Sequence, residues 1–253
     1  MKIVPMKVTL LDHMGSDLTV VNAARVSFDK ESAWETVETG KDDIQEMLGD
    51  GTRFEAKLKE GDAKLINYLA KHNHWTPFGH CFLQFRIKAP IFVARQLVKH
   101  QVGLVWNEVS RRYVDSEPEF WFPEVWRGRP EGSMKQGSSG VVDITTLNWR
   151  AEDSDDTYTN VNEPWHPAAA VSVAVNAYNG MVARGMAPEQ ARMILPQNMM
   201  TEWYWSGSLA AFARVCKLRL DPHAQEETRV IAEYIAAQTA QLFPVSWRAL
   251  TSE

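Results

Sequence analysis

Residues 80–90, His-Cys-Phe-Leu-Gln-Phe-Arg-Ile-Lys-Ala-Pro, alternate apolar and polar side chains. Neighbouring side chains on a strand point to opposite faces, so this pattern specifies a strand that is half buried. Residues 91–100, Ile-Phe-Val-Ala-Arg-Gln-Leu-Val-Lys-His, follow without a break and read as a helix, with Pro90 in a favoured first-turn position. A strand with one covered face that runs straight into a helix requires a layered fold in which helices lie on a sheet.

The rest of the chain fits that requirement. Residues 1–15 read as a strand and 17–28 as a short helix. Residues 29–60 are charged and contain glycine, and they read as weak helical stretches. Residues 62–72 form a firmer amphipathic helix, because Leu65, Ile66, Leu69 and Ala70 share a face. Three more helices read over 166–184, 187–194 and 206–217, with a strand-like Asn-Met-Met-Thr-Glu-Trp-Tyr-Trp (198–205) between the last two. A final helix runs from about His223 to Leu242 and stops before Pro244. The fold class is α/β (α+β), a mixed sheet packed with long helices. No repeat or linker divides the chain, so residues 1–253 read as a single domain. Residues 127–163 combine a Gly/Ser-rich basic stretch with an acidic one, and read as an inserted excursion more mobile than the core.

Charge narrows the function. The net charge of −5 argues against a general nucleic-acid binder, but not against a local cationic pocket for a small anion. No run approaches the ~20 apolar residues that span a membrane. Cys81 and Cys216 have no metal-ligand or disulfide spacing, so a reducing cytoplasm fits and both thiols read as core residues rather than nucleophiles.

Residues 99–114, Lys-His-Gln-Val-Gly-Leu-Val-Trp-Asn-Glu-Val-Ser-Arg-Arg-Tyr-Val, concentrate the cations. On a helix Arg95 and Lys99 would share one face. Asn107, Glu108 and Ser110 supply donors and acceptors for a planar amide ring, and Arg111 and Arg112 supply guanidinium forks for phosphate oxygens. These residues describe either a pocket for a phosphorylated heterocycle or a solvated helix end with surface arginines. His74 and His80 flank a turn with no carboxylate at metal-ligand spacing, so no metal is expected. Arg219 and His223 lie at a turn between helices, where a lone Arg is ordinarily a C-terminal charge.

Taken together, these stretches resemble the flavin-dependent thymidylate synthases. That family's signature reads Arg-His-Arg, two variable residues, Ser, one variable, Asn-Glu, one variable, Ser, one variable, Arg-Tyr. Here Lys99-His100-Gln101 is followed by five residues and then by Asn107-Glu108-Val109-Ser110-Arg111-Arg112-Tyr113. Segments 23–28, 74–80, 90–96, 191–196 and 218–227 resemble further family segments in the same order. The resemblance implies a homotetramer with shared active sites, FAD, the substrate dUMP, methylenetetrahydrofolate as one-carbon donor and NADPH as reductant. It puts Arg219, Glu108 and Ser110 at catalytic positions. Gln96, Lys99, Glu108, Ser110, Arg111, Arg112, Arg192 and Arg219 fall at nucleotide-binding positions. His74, Thr76, Lys99, His100, Gln101, Glu108, Ser208, Arg214 and His223 fall on or near flavin-contacting positions.

The departures cluster on the flavin side. Lys-His-Gln replaces Arg-His-Arg, the spacing is one residue longer, and Ser208 and Arg214 stand where the family commonly has asparagines. Arg214 would restore charge lost at Gln101. The resemblance leaves open a pyrimidine nucleotide hydroxymethylase, in which water rather than hydride completes the reaction, and a non-catalytic nucleotide- or flavin-binding relative.

Overall fold

The computed structural model describes residues 1–41, 52–130, 137–144, 149–152, 158–161 and 166–252. The chain enters through β1 (Lys2–Ile3) and β2 (Lys7–Met14), two strands where the sequence reads as one. Helix α1 (Asp17–Arg25) follows. The expected helical stretches of 29–60 are instead a hairpin, β3 (Glu35–Lys41) against β4 (Thr52–Lys57). Its charged residues show no clean alternation, so the cross-strand pairing left little local signal. Helix α2 (Glu60–Lys71) then leads to β5 (Phe82–Pro90), α3 (Ile91–Leu97) and β6 (Leu104–Glu108).

Short strands β7 (Glu119–Phe120), β8 (Arg127–Gly128), β9 (Ser139–Val141), β10 (Trp149–Glu152) and β11 (Tyr158–Val161) come next. β8 pairs with β9, and β10 with β11, so the described parts of the 127–163 excursion are hairpin strands; its remainder lies outside the described residues. Helix α4 (Pro167–Ala183) is as expected, but the 187–194 helix is only α5 (Pro188–Ala191) and a 3-10 turn at Arg192–Ile194. Strand β12 (Met200–Ser208) extends three residues past the strand-like segment, so α6 (Leu209–Arg219) begins later than read.

Helix α7 (Glu226–Leu242) starts three residues after His223, which lies in the preceding turn. Pro244 does not end the helical chain. It opens α8 (Pro244–Thr251), whose first N–H groups, those of Val245 and Ser246, donate 2.9 Å bonds to the buried Asp17 carboxylate. The cap comes from the other end of the sequence, which local reading cannot detect.

The main sheet has the order β2–β5–β12–β6, with antiparallel neighbours throughout; β1 and β7 form a parallel pair. As the alternation requires, Leu83, Phe85 and Ile87 of β5 are buried in the main core with Trp203 and Trp205 of β12. Trp106 of β6 stacks on Trp203 at 4.3 Å between ring centroids and meets Trp205 edge-on. Such aromatic pairs contribute roughly 0.5–1.5 kcal/mol each beyond area burial. They pin β6, an edge strand, to the sheet, and so fix Glu108 at its end.

Candidate active site

Helix α3 separates two groups of polar residues. Arg95 and Gln96 are consecutive, so on a helix they point about 100° apart, Arg95 into one group and Gln96 into the other.

The first group forms where α3 ends. Helical structure stops at Leu97, so Lys99 leaves the helix and the expected Arg95–Lys99 face does not form. The His100 N–H bonds Leu97 O (3.0 Å), and the Leu104 N–H bonds Gln101 O (3.1 Å), which reverses the chain into β6. Gly103 takes the left-handed φ of +76° that this reversal requires. The turn is clamped to α6: Ser208 N–H donates to Gly103 O (3.2 Å), the Ser208 hydroxyl caps α6 by accepting from Ala211 N–H (3.2 Å), and Arg214 donates to Val102 O (2.7 Å).

Arg219, the last residue of α6, returns to the same place. Its Nε donates to His100 Nε2 (3.0 Å) and its Nη2 to Gln96 O (3.5 Å). Burial lowers the Arg219 pKa from its usual value, though a guanidinium stays charged. Burial, then Arg219 and Arg214, hold the His100 imidazole below the usual histidine range. A neutral imidazole is what an acceptor Nε2 requires. The Gln96 side-chain amide donates to Gln225 Oε1 and accepts from the Thr228 hydroxyl (3.2 Å). Among the described residues no carboxylate forms an ion pair with Lys99, Arg214 or Arg219, so this group has an excess of positive charge.

The second group lines an open cavity of about 810 Å³ that includes Arg95, Glu108, Arg111, Glu189, Arg192 and Thr201. The Glu108 carboxylate is oriented by two donors, Thr201 Oγ1 (2.7 Å) and Trp106 Nε1 (3.1 Å). The three arginines are held more loosely. Arg192 Nε donates to Glu189 O (3.3 Å), Arg111 donates to Ser116 O, and Arg95 is exposed. Ser110 accepts from Arg112 Nε (3.2 Å), and the Arg112 guanidinium lies 5.0 Å from the Tyr113 ring centroid.

Other sequence-selected residues lie apart. His74 is exposed and packs edge-on to Tyr68 with ring centroids 6.1 Å apart. Thr76 precedes the Pro77–His80 turn. Between that loop and α6 lies a second cavity of about 730 Å³, apolar on its floor and rimmed by Trp75, Lys71, Arg214 and Lys217. His223 bonds Asp221, whose pKa is lowered by the His223 backbone N–H and then its ring. Gln225, Thr228 and Thr201 were not anticipated. Their signal was present only as polar residues in Ala-Gln-Glu-Glu-Thr (224–228) and in a strand otherwise rich in tryptophan.

The thiols lie outside both groups. Burial, aided by Asp17, pushes Cys81 up to about 12, and burial pushes Cys216 up to about 12. Neither forms the thiolate that nucleophilic catalysis uses. No group of His, Cys, Asp and Glu among the described residues could hold a metal ion, and no described helix is long and apolar enough to cross a membrane.

Comparison with known proteins identifies the family. The family described as "Thymidylate synthase complementing protein" matches residues 9–245. A flavin-dependent thymidylate synthase of Thermus thermophilus is 34% identical over 242 residues, covering 96% of this chain and 74% of the relative. One from Ehrlichia ruminantium (strain Gardel) is 34% identical over 252 residues, covering 96% and 69%. Among solved structures, the UMP/dUMP methylase PolB from Streptomyces cacaoi bound with 5-Br dUMP aligns with a TM-score of 0.69 and 26% identity over 99% of this chain and 97% of that one. The same methylase bound with 5-Br UMP gives 0.68 and 25%, over 99% and 96%. The chain belongs to the thymidylate synthase complementing protein family and is an enzyme of the flavin-dependent thymidylate synthase kind.

Proposed function

We propose that the protein converts dUMP to dTMP, taking the carbon from methylenetetrahydrofolate and the hydride from FAD reduced by NADPH. The observation that carries this reading is Arg219, a half-buried guanidinium whose Nε is held by a neutral His100 and which forms no ion pair with a described carboxylate. Its remaining N–H groups can face a ring on which negative charge develops, as it must on uracil when C5 becomes nucleophilic. A preorganised cation there stabilises the transition state by several kcal/mol, and no covalent attack by the enzyme is needed. Glu108, oriented by Thr201 and Trp106, and Ser110 would fix the ring and ribose. Arg111, Arg112 and Arg192 suit the phosphate dianion.

The residues present also fit a flavin dinucleotide. Lys99 and Arg214 supply positive charge at the α3–β6 turn, His100 presents a neutral imidazole, Gln101 offers an amide to a ring carbonyl, and Ser208 ties the turn to α6. Thr76, His74 and His223 would be more distant contacts. A bound, reduced flavin supplies a hydride.

In one protomer Arg192 and Arg219 lie on opposite sides of α3. This separation supports a homotetramer in which one subunit's arginines complete another's site. At dUMP well below the raised KM, where Arg192→Ala and Arg219→Ala proteins are both impaired, a reassembled mixture of the two should turn over faster than either alone. No gain would make each site the work of one chain.

Purified protein should show a flavin spectrum that NADPH bleaches, and should form dTMP from dUMP and methylenetetrahydrofolate. A hydroxymethylated product that persists with NADPH would replace this reading with a hydroxymethylase. Neither product nor bleaching would leave a binding protein. Methylation of UMP is a second reading, because the solved neighbours are named UMP/dUMP methylase. Competition between the two nucleotides decides it.

A further inference from the structure

We propose that Arg127, Glu227 and Gln225 form a positioning relay that fixes which end of the Gln96 amide faces the nucleotide. The inference rests on the reading above, in which Gln96 contacts that nucleotide.

The two ends of a glutamine amide have nearly the same shape and opposite hydrogen-bonding sense. Something must therefore set the direction of Gln96. The source is the buried Glu227 carboxylate, 7% exposed, which can only accept. Its Oε1 takes Arg127 Nη2 at 2.6 Å, and Arg127 is braced in turn by Glu226 (3.0 Å) and the Ser138 hydroxyl (2.8 Å). Its Oε2 takes Gln225 Nε2 at 3.0 Å. Turning Gln225 over would set a carbonyl oxygen against a carboxylate in a buried site, which is strongly unfavourable. So Gln225 presents its carbonyl to Gln96 and receives the Gln96 N–H. The Thr228 hydroxyl then donates to Gln96 Oε1 at 3.2 Å, completing the same sense.

Gln96 is left with one N–H and one lone pair of settled direction, on the residue whose backbone oxygen receives Arg219. The carboxylate that settles it is held in place by Arg127, at the start of the excursion. None of the three relay residues lines the cavity with Arg111 and Arg192.

The test is a double-mutant cycle read by direct dUMP titration of the full-length protein. Glu227→Gln keeps size and removes the directing charge. It should raise the dUMP Kd about tenfold in the wild-type background and leave it unchanged in a Gln96→Ala background. The same fold-change in both backgrounds would show a merely structural Glu227 and overturn the relay. If Glu227→Gln does not fold, Gln225→Ala cuts the relay while leaving the Arg127–Glu227 pair, and the same two outcomes apply. If the wild type binds neither dUMP nor UMP, the nucleotide reading fails, and thermal unfolding of the same four proteins decides the relay: non-additive shifts support it and additive shifts overturn it.

Discussion

The two sides of α3 are built differently. On the Gln96 side, Arg219, His100, Gln96, Gln225 and Thr228 each bond at least one of the others across more than a hundred residues of sequence, or reach a partner that does. On the Arg95 side the arginines are exposed or bonded only to groups nearby in sequence, as with Arg192 to Glu189 and Arg111 to Ser116, while Lys2 and Lys88 are neutralised by Glu119. A preorganised group costs no reorganisation when charge develops, whereas a loosely held one orders only when its ligand arrives. On the function proposed above, the first side would carry the chemistry and the second would capture the anion.

The strongest attempt to break that division is Arg219→Ala. Turnover should fall ~100–1000-fold while the dUMP Kd changes far less, as expected for a preorganised charge contact. Near-normal turnover would remove Arg219 from the chemistry. Next is Arg192→Ala, which should raise the KM for nucleotide about tenfold with kcat nearly unchanged, and reduce the salt dependence of binding. A drop in kcat as large as that of Arg219→Ala would erase the contrast between the sides.

A smaller effect sharpens the contrast at its boundary. Because Arg214 already donates to Val102 O, Gln101→Arg would add a second guanidinium beside an occupied one. Flavin affinity measured by titration should fall a few-fold or stay level. A several-fold gain would mean that Arg214 does not replace the missing charge. The least effect comes from His100. Its folded pKa lies below the ordinary 6.5, so between those values the unfolded chain binds more protons and stability rises with pH. Acidification from pH 7 through 6.5 should therefore lower the Tm of the wild type more than that of His100→Gln, and the difference should level off below the folded pKa. Parallel Tm curves would show that the imidazole is not held neutral.

What the sequence disclosed follows from how far each signal reaches along the chain. Strand 80–90 and the helix after it were legible because their periodicity is local. The 35–57 hairpin was not, since its residues are charged on both strands, and α8 was hidden because Asp17 caps it from the far end of the chain. The cations of the site were readable as residue types in a known pattern. Their arrangement was not, because Arg219 meets His100 across 119 positions and Thr228 meets Gln96 across 132. Lys99 shows the converse: a four-residue spacing promised a shared helical face, and the helix ended two residues too soon.

The connection between His100 and Asn107 also limits how this chain can be rebuilt. A Cβ on Gly207 would lie 2.5 Å from both Gly103 O and Leu104 Cδ2, so the turn rests directly on bare backbone of β12. The loop and residue 207 thus behave as one interchangeable part, although Leu104 and Gly207 are distant in sequence. A chimaera that imports another relative's 99–107 segment will seat only if the strand beneath it is exchanged as well, and a side chain at 207 will reject this loop however well its cations match.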